Sequence, residues 1–318
     1  MKLLTISIAA YNAENYIKKA LDSLCCKNLS KLEIFVIDDG GSDGTLAIAK
    51  EYEKKYPDSI HAVHKENGGL GSTYNYSIEN GTGKYIKLLD ADDFFNITEL
   101  EKFVDILQNV DADAIYSPYL TFDDKTGDIL DHVDISSSCE INKPMSIGNL
   151  LSYKELRMHS LTFNLQMLRS NKVHILEKCF YTDTEYVTKG LFFSKTIAFT
   201  NCEVYNYRLG REGQSVDTLG LKKHYKESIK VAEELLRFYV SNINNSNSKV
   251  VLYNLNLLLR FVYNTLLKLG LKDEFVSFDK TVIRYKIDNK LTIDRRVKLL
   301  RCSQYLLFPI VHIKVKNG

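Results

Sequence analysis

The chain has 318 residues, of which 45% are hydrophobic and 26% are charged, and this composition is typical of a globular protein. It is long enough to bury a full core in one large domain or in two. The formal net charge of +2 excludes a strong overall electrostatic preference, so we expect no nucleic-acid partner.

The cysteine pattern and the hydropathy pattern both bear on location. The six cysteines form no C-x-x-C pair and show no metal-ligand spacing with the seven histidines, which favours a reduced cytosolic protein with buried thiols. The run from Val250 to Leu271 comes closest to a transmembrane helix, but polar residues interrupt it. We therefore predict a cytoplasmic protein that does not span the membrane.

The first part of the chain alternates between strand and helix patterns. Strands are predicted at Leu4–Ala10, Glu33–Ile37, Ile60–His64 and the run that ends at Asp90, and helices are predicted after a cap at Asn12, up to about Tyr56, from about Ser72 to Asn80 and from about Thr98 to Asn109. This alternation predicts an α/β fold with a mostly parallel, Rossmann-like sheet and helices on both faces. Such sheets bind ligands at the carboxyl ends of their strands.

The remainder of the chain is less regular until its helical last third. The pattern predicts a strand from Ala114 to Tyr119, a hairpin from Leu120 to Ile135, a helix from Tyr181 to Phe193, a strand from Thr196 to Tyr207 that returns to the sheet, and helices from about Leu219 onwards, with a linker from Ser241 to Ser248. We therefore expect one domain over 1–218, with halves at 1–119 and 120–218, and a helical C-terminal extension over 219–318.

Four polar clusters follow the first four predicted strands. They are Tyr11-Asn12, Asp38-Asp39, the glycine loop at Gly68, Gly69 and Gly71, and Asp90-Ala91-Asp92-Asp93. Three carboxylates in four residues repel each other, and a divalent cation that carries a diphosphate would make such a cluster tolerable. The alternatives are a solvated acidic turn at Asp90 and a helix cap at Asp38-Asp39.

In their order and spacing these clusters resemble the family 2 inverting glycosyltransferases of the GT-A fold, a nucleotide-diphospho-sugar transferase fold. The resemblance runs from Leu4 to about Phe95 and resumes from Tyr181 to Val216. It implies a UDP-sugar donor and Mn²⁺ or Mg²⁺ as the metal. The chain departs from the family pattern at two places. It has Ala9 where the family usually has Pro, and Thr182-Asp183 where the family usually has two acidic residues.

The resemblance also implies roles for individual residues on the donor side. Ala9 and Tyr11 would flank the uracil, and Asp39 would contact the base. Asp90 and Asp92 would form the D-x-D motif, with Asp90 toward the ribose and Asp92 on the metal. The donor-binding set that it implies is completed by Gly68, Asn75 and an arginine that assists the diphosphate, either Arg208 or Arg211.

An inverting displacement needs a base that takes the proton of the acceptor hydroxyl. The family places an Asp for this role just before a helix, and Asp183 is the matching candidate, with Glu185 second. The alternative is that Asp183 only caps that helix, a role that Asp often fills.

The C-terminal segment from Arg284 to Gly318 contains nine Lys or Arg residues and two Asp or Glu residues. Arg295-Arg296, Lys298 and Arg301 precede the apolar run from Tyr305 to Val311, a pattern that suits peripheral contact with the inner face of the membrane. The alternative is a basic last helix followed by a core-packing strand, and an oligomer contact is also open.

These observations predict a metal-dependent inverting glycosyltransferase. It would move a hexosyl or N-acetylhexosaminyl group from a UDP-sugar to a hydroxyl of a saccharide acceptor, which the resemblance implies is a lipid-linked intermediate of bacterial surface polysaccharide. Two alternatives are a non-catalytic nucleotide-sugar-binding subunit and a nucleotidyltransferase. The latter would need a basic, Gly-rich loop where this chain has Ala10-Tyr11-Asn12-Ala13-Glu14.

Overall fold

The computed structural model describes residues 2–150, 154–211 and 218–316. The described chain divides into two compact units. The first contains residues up to Lys178 together with 189–211, and the second contains Cys179–Thr188 together with 218–316. The end of the segment in which the family resemblance resumes, residues 212–216, lies outside the described residues.

The strands and helices follow in chain order. The strands are β1 (Leu4–Ala10), β2 (Leu32–Asp39), β3 (Ile60–Lys65), β4 (Tyr85–Asp90), β5 (Phe94–Phe95), β6 (Ala114–Tyr116), β7 (Tyr119–Asp123), β8 (Ile129–Val133), β9 (Pro144–Ser146), β10 (Leu161–Asn164), β11 (Thr196–Phe199) and β12 (Tyr205–Leu209). The helices are α1 (Ile17–Asp22), α2 (Thr45–Lys55), α3 (Leu70–Asn80), α4 (Ile97–Leu107), α5 (Leu165–Ser170), α6 (Thr182–Phe193), α7 (Thr218–Ser241), α8 (Ser248–Leu269), α9 (Lys272–Arg284), α10 (Arg295–Cys302) and α11 (Phe308–Lys316).

The described strands of the first unit form a large sheet and a small one. The large sheet has the order β3-β2-β1-β4-β10-β6-β11-β9, and the small sheet has the order β5-β12-β7-β8. Strands β3, β2, β1 and β4 are mutually parallel, whereas β10 runs antiparallel to both of its neighbours. The predicted α/β fold with a largely parallel sheet is confirmed.

Helices cover both faces of the large sheet, as predicted. On one face the apolar side chains of β1, such as Ile6 and Ile8, join a core with residues of α1, α2 and α4. On the other face Ser7 of β1 accepts a hydrogen bond from the Ser77 hydroxyl of α3 at 2.7 Å. The alternation of apolar and small polar residues along β1 therefore divides its two faces between two helical layers.

Four local predictions were wrong. Asn12 does not cap a helix, because it adopts a positive φ of 49° and α1 begins only at Ile17. The predicted strand from Ala114 to Tyr119 is split between the two sheets, and so is the one from Thr196 to Tyr207. Residues 308–311 are helical, so the alternative of a C-terminal core strand is also wrong.

The second unit contains α7 to α11, and α8 lies at its centre. Helix α8 packs against α7, α9 and α11, and its buried face includes Val251, Leu255 and Leu266. By length and composition α8 could cross a membrane, but 61% of its most apolar segment is buried within the protein. Burial of this kind is also what the core helix of a helical unit shows.

Candidate active site

The register of the parallel strands brings three of the predicted strand ends side by side. Ala9 lies opposite Asp90 of β4 and opposite Ile37 of β2, and the next residue, Ala10, lies opposite Asp38. The two acidic clusters therefore flank the end of β1. Tyr11, immediately after β1, exposes 58% of its surface, so its ring is available to a ligand at this edge.

Asp39 organises the glycine loop that follows β3. Its buried carboxylate accepts hydrogen bonds from the backbone N–H groups of Gly68 at 2.9 Å and Gly69 at 2.7 Å. It also forms an ion pair with Lys65 at 2.7 Å. Gly69 has a φ of 75°, a conformation that disfavours residues with a Cβ. The geometry therefore gives Asp39 a structural task at this edge besides the base contact that the resemblance implies.

The preceding loop is braced in a similar way. Asp38 accepts a hydrogen bond from the backbone N–H of Gly41 at 3.0 Å and pairs with His64 Nδ1 at 2.7 Å. Asn12, the residue expected to cap a helix, instead accepts from the backbone N–H of Ser42 at 2.8 Å. Side chains from the ends of β1, β2 and β3 thus hold the backbone of this edge in place.

Asp93 is the most deeply buried carboxylate of the acidic cluster after β4. Its Oδ2 accepts a hydrogen bond from the Tyr205 hydroxyl at 2.7 Å, and its Oδ1 accepts from the backbone N–H of Arg208 at 2.7 Å. Burial raises the pKa of Asp93 well above its usual value, and the carboxylates of Asp90 and Asp92 raise it further. A cation bound beside Asp93 would lower this pKa again, because it would stabilise the ionised carboxylate.

The two arginines implied by the resemblance lie beside this cluster in different environments. The Arg208 side chain is buried, and it donates to the carbonyl oxygen of Asp92 at 2.6 Å and pairs with Asp124 at 2.6 Å. Arg211 is more exposed, and its Nε lies 2.8 Å from Oδ2 of Asp92. Both guanidinium groups also lie over the ring of Tyr16.

His159 completes a group that could hold a metal ion. One potential ligand atom from each of Asp90, Asp93 and His159 lies within 4.8 Å of the others. Burial lowers the pKa of His159 to about 3, and the charges of Lys87 and Arg157 lower it further, so the imidazole is neutral as a metal ligand requires. Among the described residues, its buried Nδ1 has no hydrogen-bond partner. The donor set therefore fits a divalent cation.

Lys87 fixes the backbone of His159. It lies fully buried in β4 and donates to the carbonyl oxygens of His159 at 2.8 Å and Leu161 at 3.4 Å. The His159 ring stacks on that of Tyr207, with 4.0 Å between centroids. The sequence assigned no role to His159, because it has no ligand-like spacing to another residue. Only the antiparallel pairing of β10 with β4 brings it to the acidic cluster.

Asn75 of α3 lies buried, with its amide directed at the segment before α6. It donates to the carbonyl oxygen of Ile175 at 2.9 Å and to the carboxylate of Glu177 at 3.0 Å, and it accepts from the backbone N–H of Ile175 at 2.9 Å. These bonds join the helix after the glycine loop to the chain that leads toward Asp183.

The two base candidates lie in the first turn of α6. Asp183 follows the first helical residue, Thr182, so it is not the residue that precedes the helix, as a simple cap would be. Asp183 is partly exposed, whereas Glu185 is fully buried. Solvent and ligands can therefore reach the Asp183 carboxylate more readily than that of Glu185.

The mixed sheet, with acidic residues at the end of its fourth strand, is the arrangement that the resemblance to the GT-A class implied. Residues 5–179, more than half of the chain, match the family described as glycosyl transferase family 2. The chain belongs to this family.

Several curated relatives are similar over part of the chain. An uncharacterized glycosyltransferase of Rickettsia felis is 36% identical over 143 residues, which are 44% of this chain and 23% of the relative. The uncharacterized glycosyltransferase YibD of Escherichia coli is 26% identical over 259 residues, which are 76% of this chain and 73% of the relative. The matches span only 19–23% of the length of the first three rickettsial relatives.

Solved structures show the same fold. Residues 1–349 of Staphylococcus aureus TarS, in complex with UDP-GlcNAc, superpose with a TM-score of 0.70 at 19% identity, covering 99% of this chain and 89% of that one. The mannosyltransferase PcManGT from Pyrobaculum calidifontis, in complex with GDP-Man and Mn²⁺, has a TM-score of 0.50 at 13% identity, covering 99% and 83%. The GT-A fold predicted from the sequence is confirmed.

Proposed function

We propose that this protein transfers a sugar from a UDP-sugar to a hydroxyl group of a saccharide acceptor, with inversion and with the help of Mn²⁺ or Mg²⁺. The observation that carries the proposal is the position of Asp90 opposite Ala9 at the end of β1, where it lies close to Asp93 and His159. The complexes of TarS with UDP-GlcNAc and of PcManGT with GDP-Man and Mn²⁺ support a donor of this kind.

The acidic cluster would bind the metal and the diphosphate. When bound, a divalent cation would neutralise the negative charge that develops on the leaving diphosphate. Asp92 and Asp90 are the proposed ligands, and Asp93 and His159 add a third carboxylate and a neutral imidazole close to Asp90. Oxygen ligands suit Mn²⁺ and Mg²⁺, and imidazole suits Mn²⁺ better than Mg²⁺. This donor set therefore favours Mn²⁺.

We assign different roles to Arg208 and Arg211. Arg208 forms an ion pair with Asp124 and donates a hydrogen bond to the carbonyl oxygen of Asp92, so we propose that it holds the acidic turn in place. Arg211 reaches Asp92 from a more exposed position. An arginine so placed can form paired hydrogen bonds with phosphate oxygens, and we assign Arg211 to the diphosphate.

On the acceptor side, Asp183 is the better candidate for the general base. A base must approach the hydroxyl whose proton it takes, and the partly exposed Asp183 can do so more readily than the buried Glu185. We further propose that the acceptor is a lipid-linked saccharide of bacterial surface polysaccharide synthesis, which the bacterial origin of the relatives supports.

The experiment is a screen of UDP-glucose, UDP-galactose, UDP-GlcNAc and UDP-GalNAc for UDP release, with Mn²⁺, with Mg²⁺ and with a chelator. We expect one donor to be turned over only with metal, and Asp92→Asn to lower kcat/KM by about 10²-fold or more. Asp111→Asn is the matched control, because Asp111 is exposed on the surface. Metal-independent turnover that is equal in all three proteins would overturn the proposal.

The two alternatives give different results in the same set of measurements. A nucleotidyltransferase would release pyrophosphate from UTP and a sugar 1-phosphate. A non-catalytic subunit would bind a UDP-sugar, as seen by calorimetry, without releasing UDP even when saccharide acceptors are added.

A further inference from the structure

We propose that α11, together with the exposed cations of the C-terminal segment, docks the protein on an anionic lipid bilayer. This surface, called the C-terminal face below, comprises Leu306, Ile310 and Ile313 with Arg295, Lys298 and Lys314. The proposal concerns the second unit alone and does not rest on the proposed reaction.

Helix α11 has apolar residues on its exposed side as well as on its buried side. Its buried residues, Phe308 and Val311, belong to the side that packs against α8. Away from these, Leu306, Ile310 and Ile313 expose 75%, 56% and 56% of their surfaces. Ile310 and Ile313 lie three residues apart in α11, which places them on one side of the helix, and Leu306 lies in the turn two residues before its start. Large apolar side chains that are exposed next to one another mark a surface that contacts another molecule or a membrane.

The charged side chains of the C-terminal segment from Arg284 to Gly318 are mostly positive. Its two carboxylates are each bound by an arginine, Asp288 by Arg301 at 2.7 Å and Asp294 by Arg296 at 2.8 Å. Among the described residues, no ion pair joins the exposed cations of the segment to a carboxylate; these cations are Arg284, Lys286, Lys290, Arg295, Lys298 and Lys314. The segment therefore presents six uncompensated positive side chains.

On α10, exposed cations and an exposed apolar residue occupy one side. Arg295, Lys298 and Leu299 are exposed and lie three and four residues apart, whereas Val297 and Leu300 are buried. Five residues, 303–307, separate α10 from α11. Basic side chains beside exposed aliphatic ones are what an interfacial helix needs, because the cations attract anionic headgroups and the apolar residues enter the acyl boundary.

The charge favours a bilayer over a second copy of the chain. A symmetric dimer would place this face against itself. Its three positive side chains, Arg295, Lys298 and Lys314, would then meet three others, and like charges at an interface repel. An anionic lipid surface compensates the same charges, and each Lys or Arg near it contributes about 1 kcal/mol, or about fivefold in partitioning.

The test is sedimentation of the full chain with sucrose-loaded vesicles. One set contains phosphatidylcholine alone, and the other contains about 30% phosphatidylglycerol, enough to give a negative surface potential. We expect the protein to sediment with the anionic vesicles and not with the neutral ones. Because the attraction is electrostatic, raising the salt concentration should release it.

Two double variants separate the contributions of charge and apolar contact. Arg295→Gln with Lys298→Gln should lower partitioning about 25-fold, or about fivefold for each cation removed. Ile310→Ser with Ile313→Ser should lower it by about tenfold or more, because less apolar surface enters the bilayer. The matched controls are Lys50→Gln with Lys54→Gln for charge and Leu219→Ser for an exposed apolar residue, since Leu219 exposes 79% of its surface. Thermal melting confirms that each variant is folded.

Three results would overturn the proposal. The first is an absence of binding to anionic vesicles at low salt. The second is binding that both double variants retain in full. The third is a dimer of the wild-type chain, seen by sedimentation velocity without lipid, that the Ile310→Ser and Ile313→Ser variant converts to a monomer, because this would assign the face to a second copy.

Discussion

The Tyr205 hydroxyl donates a hydrogen bond to Oδ2 of Asp93 at 2.7 Å and accepts one from the backbone N–H of Asp90 at 3.1 Å. A single side chain from β12 thereby fixes both ends of the acidic turn after β4. Tyr205 is itself fully buried, and burial raises its pKa well above the usual value, so its hydroxyl keeps the proton that it donates. The small sheet thus supports the acidic residues that end a strand of the large one.

Tyr205→Phe should remove this support and keep the ring. The buried Oδ2 of Asp93 then loses its donor, which we expect to lower the free energy of unfolding by about 1–3 kcal/mol. Mn²⁺ affinity should also fall, because the turn is less well held. Chemical denaturation and metal titration measure the two effects. Tyr76→Phe, at a half-buried tyrosine of α3, is the control, and equal behaviour of the two variants would contradict the role of Tyr205.

The two arginines should give different kinetic signatures. Arg208→Gln leaves Asp124 without its partner and should destabilise the protein by about 2–4 kcal/mol. Arg211→Gln should leave the stability within about 0.5 kcal/mol, because the side chain is partly exposed. It should instead raise KM for the donor about tenfold, as expected for the loss of a charge-assisted hydrogen bond. Thermal melting and initial-rate kinetics distinguish the pair, and a reversed pattern would contradict these assignments.

Local sequence patterns predicted the parallel half of the large sheet well. The strand from Leu4 to Ala10 was predicted with its observed bounds, and the alternation of strands and helices placed the acidic clusters at the ends of β2 and β4, the two strands that flank β1. Hydrophobic periodicity and turn residues are local signals, and a parallel sheet built from successive strands follows from them with few alternatives.

The remaining strands and the position of His159 depend on pairing between segments that are distant in the sequence. Pro118 interrupts the predicted strand from Ala114 to Tyr119, because proline cannot donate to a ladder, yet nothing local says that Tyr119 continues in another sheet. His159 reaches Asp90 only through the antiparallel insertion of β10 beside β4. A lone histidine carries no sequence signal for such a contact, so this part of the candidate site could not be predicted.

Asp279 of α9 should be essential for the stability of the second unit. Its fully buried carboxylate accepts hydrogen bonds from the hydroxyls of Tyr263 at 2.6 Å and Tyr305 at 2.7 Å, and it pairs with Arg301 at 2.7 Å. Asp279→Asn removes the charge but keeps the shape, so Arg301 loses a buried counter-ion. We expect a loss of about 3–5 kcal/mol in chemical denaturation.

Asp273→Asn is the control for this prediction. Asp273 lies on the same helix but is exposed, so its neutralisation should change the stability by less than about 0.5 kcal/mol. Equal destabilisation by the two substitutions would show that the charge of α9, and not the buried network, is responsible.

The cysteines should differ in their rates of alkylation. Burial raises the pKa of Cys202 and of Cys179 to about 11, so the fraction present as reactive thiolate at pH 8 is very small. Cys302, at the end of α10, is exposed. We expect iodoacetamide to modify Cys302 in the native protein and to reach Cys202 and Cys179 only after unfolding. Peptide mass spectrometry measures the order, and early labelling of Cys202 would contradict its burial.

The central claim is that the acidic turn after β4 binds a metal–diphosphate, and calorimetry of UDP binding tests it most directly. UDP is titrated into the wild-type chain and into Asp92→Asn, each with Mn²⁺ and with a chelator. The account predicts that Mn²⁺ tightens UDP binding to the wild type by about tenfold or more and has little effect on Asp92→Asn. UDP affinity that is the same with Mn²⁺ and with the chelator in the wild type would contradict it.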